Sequence, residues 1–291
     1  MPRLKSFSIC AENITPDFEE TILPLLCRMS NLESLHLCLR VYFPSTFIDE
    51  FYLMRHLPCV PRLKQFRFFI HSYLFLSVGH SNLPIMKNIE QIAFRSANQS
   101  IISYGDYFPT KKKAQYILYS SPCYGDFFSG ITNRFPGGRF DHVRRISLHD
   151  EKPFEHEFFL RLEQSFPSME ELTIANATGQ HRRKAEQSVD DPQNLSPIRY
   201  RRLHSIALVK AHDDYLAQFL FHLKANLNRQ LTLYLAYQSL QSLANNFTSN
   251  QIRINANQVT KLYVSAKDQC FDLCQKYFPH AQIFDKPHLK Y

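Results

Sequence analysis

A short pattern of apolar and polar positions recurs along this chain. Each copy spans six residues and has apolar residues at its first, fourth and sixth positions, as in residues 32–37 (LESLHL). The legible copies begin at Leu4, Leu32, Leu63, Ile89, Val143, Met169, Leu203 and Val259. Two spacings are nearly double the rest, so we expect degenerate copies near 115–119 and 231–235 and a closing copy near 278–284. A repeat of about 27 residues therefore accounts for the whole chain.

The pattern predicts that strands and helices alternate along the chain. Apolar positions that alternate over a run of this length are typical of a half-buried strand. The connecting segments carry apolar residues at helical spacing, at 16–28, 46–57, 154–166, 213–226 and 268–278. Asp213 or Asp214 is a candidate cap for the fourth of these helices. Strands that alternate with helices through short loops form parallel sheets with right-handed crossovers.

This alternation predicts an α/β fold, the leucine-rich-repeat solenoid: a horseshoe with parallel strands on its concave face and helices outside. Repeats of that type usually carry Asn or Cys eight residues after the first Leu, where the side chain satisfies the backbone of a turn. In this chain those positions hold Glu12, Arg40, His71, Ala97, Glu151, Ala177 and Ala211, with Asn98 and Asn176 one residue away. We therefore expect irregular repeats with uneven curvature.

No segment has the composition of a linker between domains, so the sequence predicts a single domain over residues 1–291. Two stretches interrupt the regular pattern. Segment 96–141 is rich in aromatic residues, and segment 176–199 is polar, charged and free of an apolar period. We expect irregular structure in the first and a loop in the second.

Composition and charge narrow the range of partners and compartments. The formal net charge is +8 and the isoelectric point is about 9.1, which is compatible with a nucleic acid or an acidic surface as partner. The basic residues are scattered in small clusters, however, and this is typical of a solvated rim. The seven Cys lack a regular spacing and the chain starts without an apolar signal region, so we expect reduced thiols and a cytoplasmic or nuclear location. No apolar run is long enough to predict a membrane span.

The sequence offers no catalytic, cofactor or metal site, so we predict that the protein is not an enzyme and needs no cofactor. Cys270 and Cys274 share a predicted helix, but zinc sites usually pair two such clusters. Ionisable residues cluster at 149–151 and 212–214, just after strands, where they more often form turns and helix caps than acid–base pairs. No Gly-rich phosphate-binding motif and no nucleophile motif is found.

The surface of the strands is therefore the candidate site. In each copy the residues between the apolar positions face away from the core, and on the middle strands these residues are basic or aromatic. The predicted partner-binding residues on the concave face are Arg67, Phe69, Gln91, Arg95, Arg145 and His149. Arg and aromatic residues dominate interface energetics, and guanidinium groups pair with carboxylate or phosphate. We expect an acidic or phosphorylated peptide as partner; the alternative is a hydrated face with no dedicated partner.

The chain resembles the repeat region of leucine-rich-repeat F-box proteins. The resemblance covers essentially the whole chain and is carried by strand openings such as 61–66 (PRLKQF) and by three blocks, 131–138 (ITNRFPGG), 153–159 (PFEHEFF) and 211–215 (AHDDY). It implies a non-catalytic module that presents substrates to a cullin-type ubiquitin ligase. In that family an upstream F-box docks the ligase adaptor, and no F-box occurs in this sequence, so adaptor binding is expected only in a longer form. The alternative is a basic scaffold that binds nucleic acid or an acidic surface and has no link to ubiquitination.

Overall fold

The chain divides into two compact units in the computed structural model. The structure describes residues 3–15, 18–42, 46–75, 100–121, 123, 125–181, 197–221, 224–227, 230–246, 254–265 and 267–285. Unit 1 comprises Met1–Phe127 with Arg134–Pro136, and unit 2 comprises Phe128–Asn133 with Gly137–Tyr291. Each of these units has its own large sheet, and the single domain expected over residues 1–291 stays a prediction.

Unit 1 contains a five-stranded mixed sheet with the strand order β1-β2-β3-β5-β4. Its strands are β1 (Ser6–Thr15), β2 (Ser34–Tyr42), β3 (Gln65–Phe75), β4 (Ser100–Phe108) and β5 (Lys113–Ser121). The first three pair in parallel, whereas β3 with β5 and β4 with β5 pair in antiparallel fashion. A tight turn reverses the chain between β4 and β5. In this turn the amide N–H of Lys112 donates to the carbonyl of Pro109 at 3.2 Å, and Lys112 has a φ of 47°.

Unit 2 contains a seven-stranded sheet with the order β14-β13-β12-β10-β8-β7-β6. Its strands are β6 (Phe127–Ile131), β7 (Arg145–His149), β8 (Glu171–Ala175), β10 (Ser205–Leu208), β12 (Leu231–Leu235), β13 (Val259–Val264) and β14 (Gln282–Asp285). The neighbouring strands from β7 to β14 are parallel. A separate parallel pair joins β9 (Ile198–Tyr200) to β11 (Ala225–Leu227).

Helices connect the parallel strands in both units. In unit 1 a π-helical turn (Phe18–Ile22) leads into α1 (Leu23–Cys27), and α2 (Glu50–His56) continues as a 3-10 turn (Leu57–Cys59). In unit 2 the helices are α3 (His156–Ser165), α4 (Asp213–Leu220), α5 (Tyr237–Asn246) and α6 (Lys267–Tyr277). Four of the five predicted helical segments contain a helix close to the expected bounds. The fifth, 213–226, ends early because β11 begins at Ala225.

The prediction of a leucine-rich-repeat solenoid is wrong. A solenoid of that type requires one continuous series of parallel strands, whereas the strands here form a five-stranded mixed sheet and a separate seven-stranded parallel sheet. The aromatic-rich segment 96–141, predicted as irregular, contains the β4–β5 hairpin, whose pairing is antiparallel. The physical reason is that an alternating strand has the same pattern of apolar positions in either direction. Most of the polar segment 176–199 lies outside the described residues.

The apolar positions of the repeated pattern form the core of each unit. In unit 1 Leu35 and Leu37 on β2 lie opposite Phe66 and Phe68 on β3, and this row belongs to the same buried cluster as Leu26 of α1 and Leu53 of α2. In unit 2 the burial of β7 and β8 alternates strictly along each strand. Aromatic rings fill much of that core, and they include Phe128, Phe140, Phe154, Phe158, Phe159, Phe166, Tyr215 and Phe219.

Each large sheet therefore has a core face, formed by the apolar positions, and an opposite face. We call the opposite face the open face, although in the five-stranded sheet the central residues of β3 and β5 on it are buried. The open face of the five-stranded sheet carries Arg40 on β2 and His71 on β3, which are Cα partners in the register. The open face of the seven-stranded sheet carries Tyr234, Tyr263 and Phe284, which are in register on three neighbouring strands. Any partner-binding side chain on a strand must lie on one of these open faces.

Candidate functional site

Arg67, the first residue of the predicted site, lies half-buried on β3. Its Cα partner on β2 is His36, and burial together with the positive charge of Arg67 lowers the pKa of the His36 imidazole. The ring of His36 lies 3.4 Å from the hydroxyl oxygen of Ser8, measured at Nδ1. The lowered pKa favours the neutral form of the imidazole beside Arg67.

Phe69, two residues further along β3, is fully buried. Its ring lies 6.2 Å from that of Phe127, centroid to centroid, so it is a core contact of unit 1 and not an accessible anchor. The neighbours of β3 are β2 and β5, whereas the prediction placed the strand of Gln91 and Arg95 beside it. Gln91 and Arg95 themselves lie outside the described residues.

Arg145 and His149 begin and end β7 in unit 2, and both are half-buried on the open face. Arg145 lies opposite Glu171 in the register, so a carboxylate is the cross-strand neighbour of this guanidinium. Nδ1 of His149 donates to the carbonyl oxygen of Ala175 at 2.9 Å. Arg67 and Phe69 belong to unit 1, whereas Arg145 and His149 belong to unit 2.

The two ionisable clusters that the sequence predicted to be structural have those roles. Asp150 accepts hydrogen bonds from the backbone N–H groups of Glu151 and Lys152, at 2.7 and 3.0 Å, and so closes the turn after β7. His212 is the N-cap of α4, because its Nδ1 accepts from the backbone N–H of Asp214 at 3.2 Å. The prediction of a turn and a helix cap is confirmed, although the capping residue is His212 and not an aspartate.

A different group of side chains is brought together on the open face of the five-stranded sheet. Arg40 on β2, Tyr73 on β3 and Lys113 at the start of β5 meet around one ring. The ammonium of Lys113 lies 3.7 Å from the centroid of the Tyr73 ring, and the guanidinium carbon of Arg40 lies 5.6 Å from it. Both distances are within the range of cation–π attraction. We call these three residues the Tyr73 cluster.

A buried chain of hydrogen bonds fixes the orientation of the Tyr73 cluster. Nη2 of Arg40 donates to the Tyr73 hydroxyl at 2.9 Å. The hydroxyl lies 3.1 Å from Nδ1 of His71, and Nε2 of His71 lies 2.9 Å from Oε1 of Gln115. The amide oxygen can only accept, so Nε2 of a neutral His71 donates to it and Nδ1 accepts from Tyr73. Donation then runs in one direction, from Arg40 through Tyr73 and His71 to Gln115.

Arg40 is further held by a local irregularity in β1. The register between β1 and β2 shifts between Ala11 and Ile14, which is the signature of a β-bulge. Nη1 of Arg40 donates to the carbonyl of Glu12 in this bulge at 3.1 Å. The guanidinium is thus fixed on two sides by uncharged acceptors.

The Tyr73 cluster is positively charged and has no acidic counterpart within the described part of the chain. No ion pair joins Arg40 or Lys113 to a carboxylate among the described residues. Burial and the nearby charges of Arg40 and Lys111 lower the pKa of Lys113 to about 8. Uncompensated positive charges of this kind favour an anion as ligand.

The sequence contained a signal for this cluster that pointed to the wrong role. Glu12, Arg40 and His71 lie eight residues after the first Leu of three successive copies of the pattern, where a turn-forming Asn or Cys was expected. In the structure these positions are still within long strands, and Arg40 and His71 are paired across β2 and β3. Lys113 could not be placed from the sequence, because its position depends on the antiparallel pairing of β3 with β5.

Two of the described thiols, Cys38 and Cys59, have raised pKa values. A hydrogen bond with Cys10, followed by burial, raises the pKa of Cys38 far above the ordinary thiol value. Burial and a hydrogen bond with Cys27 raise the pKa of Cys59 to about 12. Thiols with raised pKa values are poor nucleophiles because the thiolate is the reactive form.

Among the described residues, no group of three or more His, Cys, Asp or Glu side chains is arranged to hold a metal ion. None of the helices described has the length and apolar character needed to cross a membrane.

Comparison with known proteins gives no relative from which a function could be transferred. No protein-family model matches the chain, and no curated protein or solved structure matches it either.

Proposed function

We propose that the protein is a non-catalytic interaction module that binds an acidic segment of a partner protein at the Tyr73 cluster. The acidic groups of the partner lie against Arg40 and Lys113, and the exposed aromatic residues nearby contact its side chains. The module has no reaction to perform, so its output is the association itself.

One observation carries this proposal: two cationic side chains converge on Tyr73, and neither has a carboxylate partner among the described residues. Holding like charges together is unfavourable, and the pKa of Lys113 is lowered by burial first and then by the charges of Arg40 and Lys111. A carboxylate or phosphate from a partner would remove the unfavourable interaction and form charge-assisted hydrogen bonds with Arg40. An exposed aromatic surface lies beside the cluster: Phe75 is 51% exposed, and its ring centroid lies 5.6 Å from that of Tyr42. Aromatic residues often contribute strongly to binding at protein interfaces.

The test is the binding of a fluorescein-labelled (Glu)₈ peptide, measured by fluorescence anisotropy. The double variant Arg40→Gln and Lys113→Gln should bind this peptide roughly tenfold more weakly than the original protein, because both charge-assisted contacts are lost. The matched control is Lys261→Gln with Lys276→Gln, two exposed lysines of unit 2. This control removes the same net charge and should change the affinity less than about twofold.

Equal losses in the two double variants would show that the peptide is attracted by net charge alone, and the proposal would be abandoned. Failure of the original protein to bind the peptide at all would have the same consequence. Circular dichroism of each variant checks that the strands and helices are retained.

Nucleic acid is the rival ligand, because Lys111 and Lys112 lie exposed beside the cluster and the chain carries a net charge of +8. An oligonucleotide such as (dT)₈ should bind with an affinity that falls steeply as salt rises, since each phosphate contact releases counterions. If (dT)₈ binds more tightly than (Glu)₈ at 0.15 M salt and depends on Arg40 and Lys113, the nucleic-acid function replaces the one proposed.

The role in ubiquitin transfer stays a prediction from the sequence. It rested on a resemblance to leucine-rich-repeat F-box proteins, and the fold that this resemblance implied is not the fold of this chain. Co-purification of the protein with a cullin adaptor would support the role, and an acidic partner that is bound without any change in its ubiquitination would argue against it.

A further inference from the structure

The Tyr73 cluster places positive charge beside an exposed aromatic ring. The ammonium of Lys113 lies 5.8 Å from the centroid of Phe75 as well as 3.7 Å from that of Tyr73. Phe75 ends β3 and is 51% exposed, and Tyr42 at the end of β2 packs against it. A ligand that reaches Lys113 therefore has the exposed ring of Phe75 nearby, with its centroid 5.8 Å from the ammonium.

The guanidinium of Arg40 retains hydrogen-bond donors for such a ligand. It uses one N–H of Nη1 for the Glu12 carbonyl and one of Nη2 for the Tyr73 hydroxyl. Arg has five N–H donors, so each of these nitrogens keeps a second one. The Gln115–His71–Tyr73 chain makes the hydroxyl an acceptor for Arg40, which holds the guanidinium in place before a ligand arrives. Pre-organisation of this kind reduces the cost of binding.

The number of charges favours phosphate over carboxylate. A carboxylate carries one negative charge, whereas a phosphomonoester carries about −1.5 to −2 near pH 7 and presents three acceptor oxygens. Arg40 and Lys113 together carry two positive charges without an acidic partner in the described part of the chain. A single phosphomonoester balances both, and its oxygens can accept from Arg40 and Lys113 at the same time.

We infer that the Tyr73 cluster binds the phosphotyrosyl side chain of the partner, an inference that rests on the proposed function. The phosphoryl group lies between Arg40 and Lys113, and the phenyl ring packs on Phe75. A phosphoseryl side chain would supply the charge without the ring, and an acidic side chain would supply neither the second charge nor the ring.

Three small probes separate these contributions in the unmodified protein: phenyl phosphate, inorganic phosphate and phenylacetate. Their affinities are measured by titration of a ¹⁵N-labelled sample at 0.15 M salt, with the amide signals of β3 and β5 as the readout. We expect phenyl phosphate to bind roughly tenfold more tightly than either of the other probes. Phenylacetate tests the need for the second charge, and inorganic phosphate tests the need for the ring.

A variant of the aromatic surface sharpens the test. Phe75→Ser should lower the affinity for phenyl phosphate to that for inorganic phosphate and leave the latter unchanged. The matched control is Phe271→Ser, which removes a similarly exposed ring in unit 2 (47% exposed) and should change neither affinity. Both rings are exposed, so neither change should unfold the protein.

Two outcomes would overturn the inference without touching the proposed function. If phenylacetate binds as tightly as phenyl phosphate, the second negative charge contributes nothing and phosphate has no advantage over carboxylate. If inorganic phosphate binds as tightly as phenyl phosphate, the ring contributes nothing and phosphotyrosine has no advantage. The proposed function fails separately, when the (Glu)₈ peptide does not depend on Arg40 and Lys113.

Discussion

The open face of the five-stranded sheet in unit 1 buries polar groups, whereas that of the seven-stranded sheet in unit 2 leaves its side chains partly exposed. His71 and Gln115 on the first sheet are 0% and 1% exposed. On the second sheet the rings of Tyr234, Tyr263 and Phe284 stack in a row, with centroids 4.5 and 5.0 Å apart, and all three are half-buried. The repeated pattern thus determines which residues enter the core face but not how the opposite face is used.

The difference follows from the strand directions. In unit 1 the antiparallel pairing of β5 with β3 sets Gln115 opposite Tyr73, one position from His71 on the same face. Polar residues from distant parts of the chain therefore meet and satisfy one another in the interior. In unit 2 the parallel register aligns equivalent positions of successive copies, so similar residues stack across strands.

The largest effect should come from the core that supports the parallel sheet of unit 2. Phe159 is fully buried, with ring contacts to Phe154, Phe158, Tyr215 and Phe219. Phe159→Ala should lower the free energy of unfolding of unit 2 by about 3–5 kcal/mol, because it leaves a cavity among packed rings. Denaturant unfolding combined with hydrogen exchange of α3 and β7 measures the loss in the correct unit.

The control for this prediction lies on the open face of the same unit. Tyr263→Ala removes a ring of similar size from the row formed with Tyr234 and Phe284, where all three rings are partly exposed. It should lower the free energy of unfolding by only about 1 kcal/mol. If both variants lose the same amount, the open face of unit 2 is a second core, and the contrast between the two faces disappears.

The sequence predicted the strands well and the sheets poorly. Seven of the eight legible copies coincide with strands, and the degenerate copies near 115–119 and 231–235 coincide with β5 and β12. The copy that begins at Ile89 lies outside the described residues. Alternation reports that a strand has one apolar face, and it carries no information on strand direction. The turn at Lys112, with its positive φ, reverses the chain between β4 and β5, and a Lys-rich turn has no strong sequence signature.

A smaller effect should follow from breaking the hydrogen-bonded chain of unit 1. Tyr73→Phe keeps the ring and its cation–π contacts but removes the acceptor of Arg40 and the donor to His71. Since His71 is fully buried, the free energy of unfolding should fall by about 1–3 kcal/mol. Thermal unfolding and hydrogen exchange of β3 provide the measurement.

Tyr263→Phe is the matched change in unit 2, because it removes a hydroxyl from a half-buried ring on the open face. Its effect should stay within about 0.5 kcal/mol, since water can replace the lost contacts. A neutral Tyr73→Phe would contradict the direction of donation assigned to the chain from Arg40 to Gln115. It would also remove the argument that Arg40 is held in place before a ligand binds.

The candidate site was only partly accessible to sequence reasoning. The alternating pattern predicts that the side chains of Arg67 and Arg145 point away from the core face, and both are half-buried on the open faces. The burial of Phe69 could not be foreseen, because it depends on its contact with Phe127, distant in the chain. The Tyr73 cluster depends on register across three strands, including one antiparallel neighbour, and a single sequence does not specify that register.

The smallest effect, and the most specific one, concerns the charge on Lys113. Its pKa is lowered to about 8 in the folded protein, so between about pH 8 and 10.5 the unfolded chain binds more protons than the folded one. This group therefore destabilises the fold below pH 8, and the penalty disappears as the pH rises through that window.

Lys113→Met should raise the free energy of unfolding by about 1 kcal/mol at pH 7. This gain is smaller than the free energy that corresponds to the full pKa shift, because Lys113 is partly exposed and because the substitution also removes its contact with Tyr73. The gain should shrink by pH 10, whereas Lys261→Met, an exposed lysine of unit 2, should show almost no change at either pH. The measurement is denaturant unfolding at the two pH values. The difference between variant and original protein at each pH cancels the titration of the tyrosines, which the two proteins share.

A Lys113→Met variant that is less stable than the original at pH 7 would show that the contact with Tyr73 outweighs the repulsion. The cluster would then be a structural feature of unit 1 without the need for an anion on which the proposed function depends.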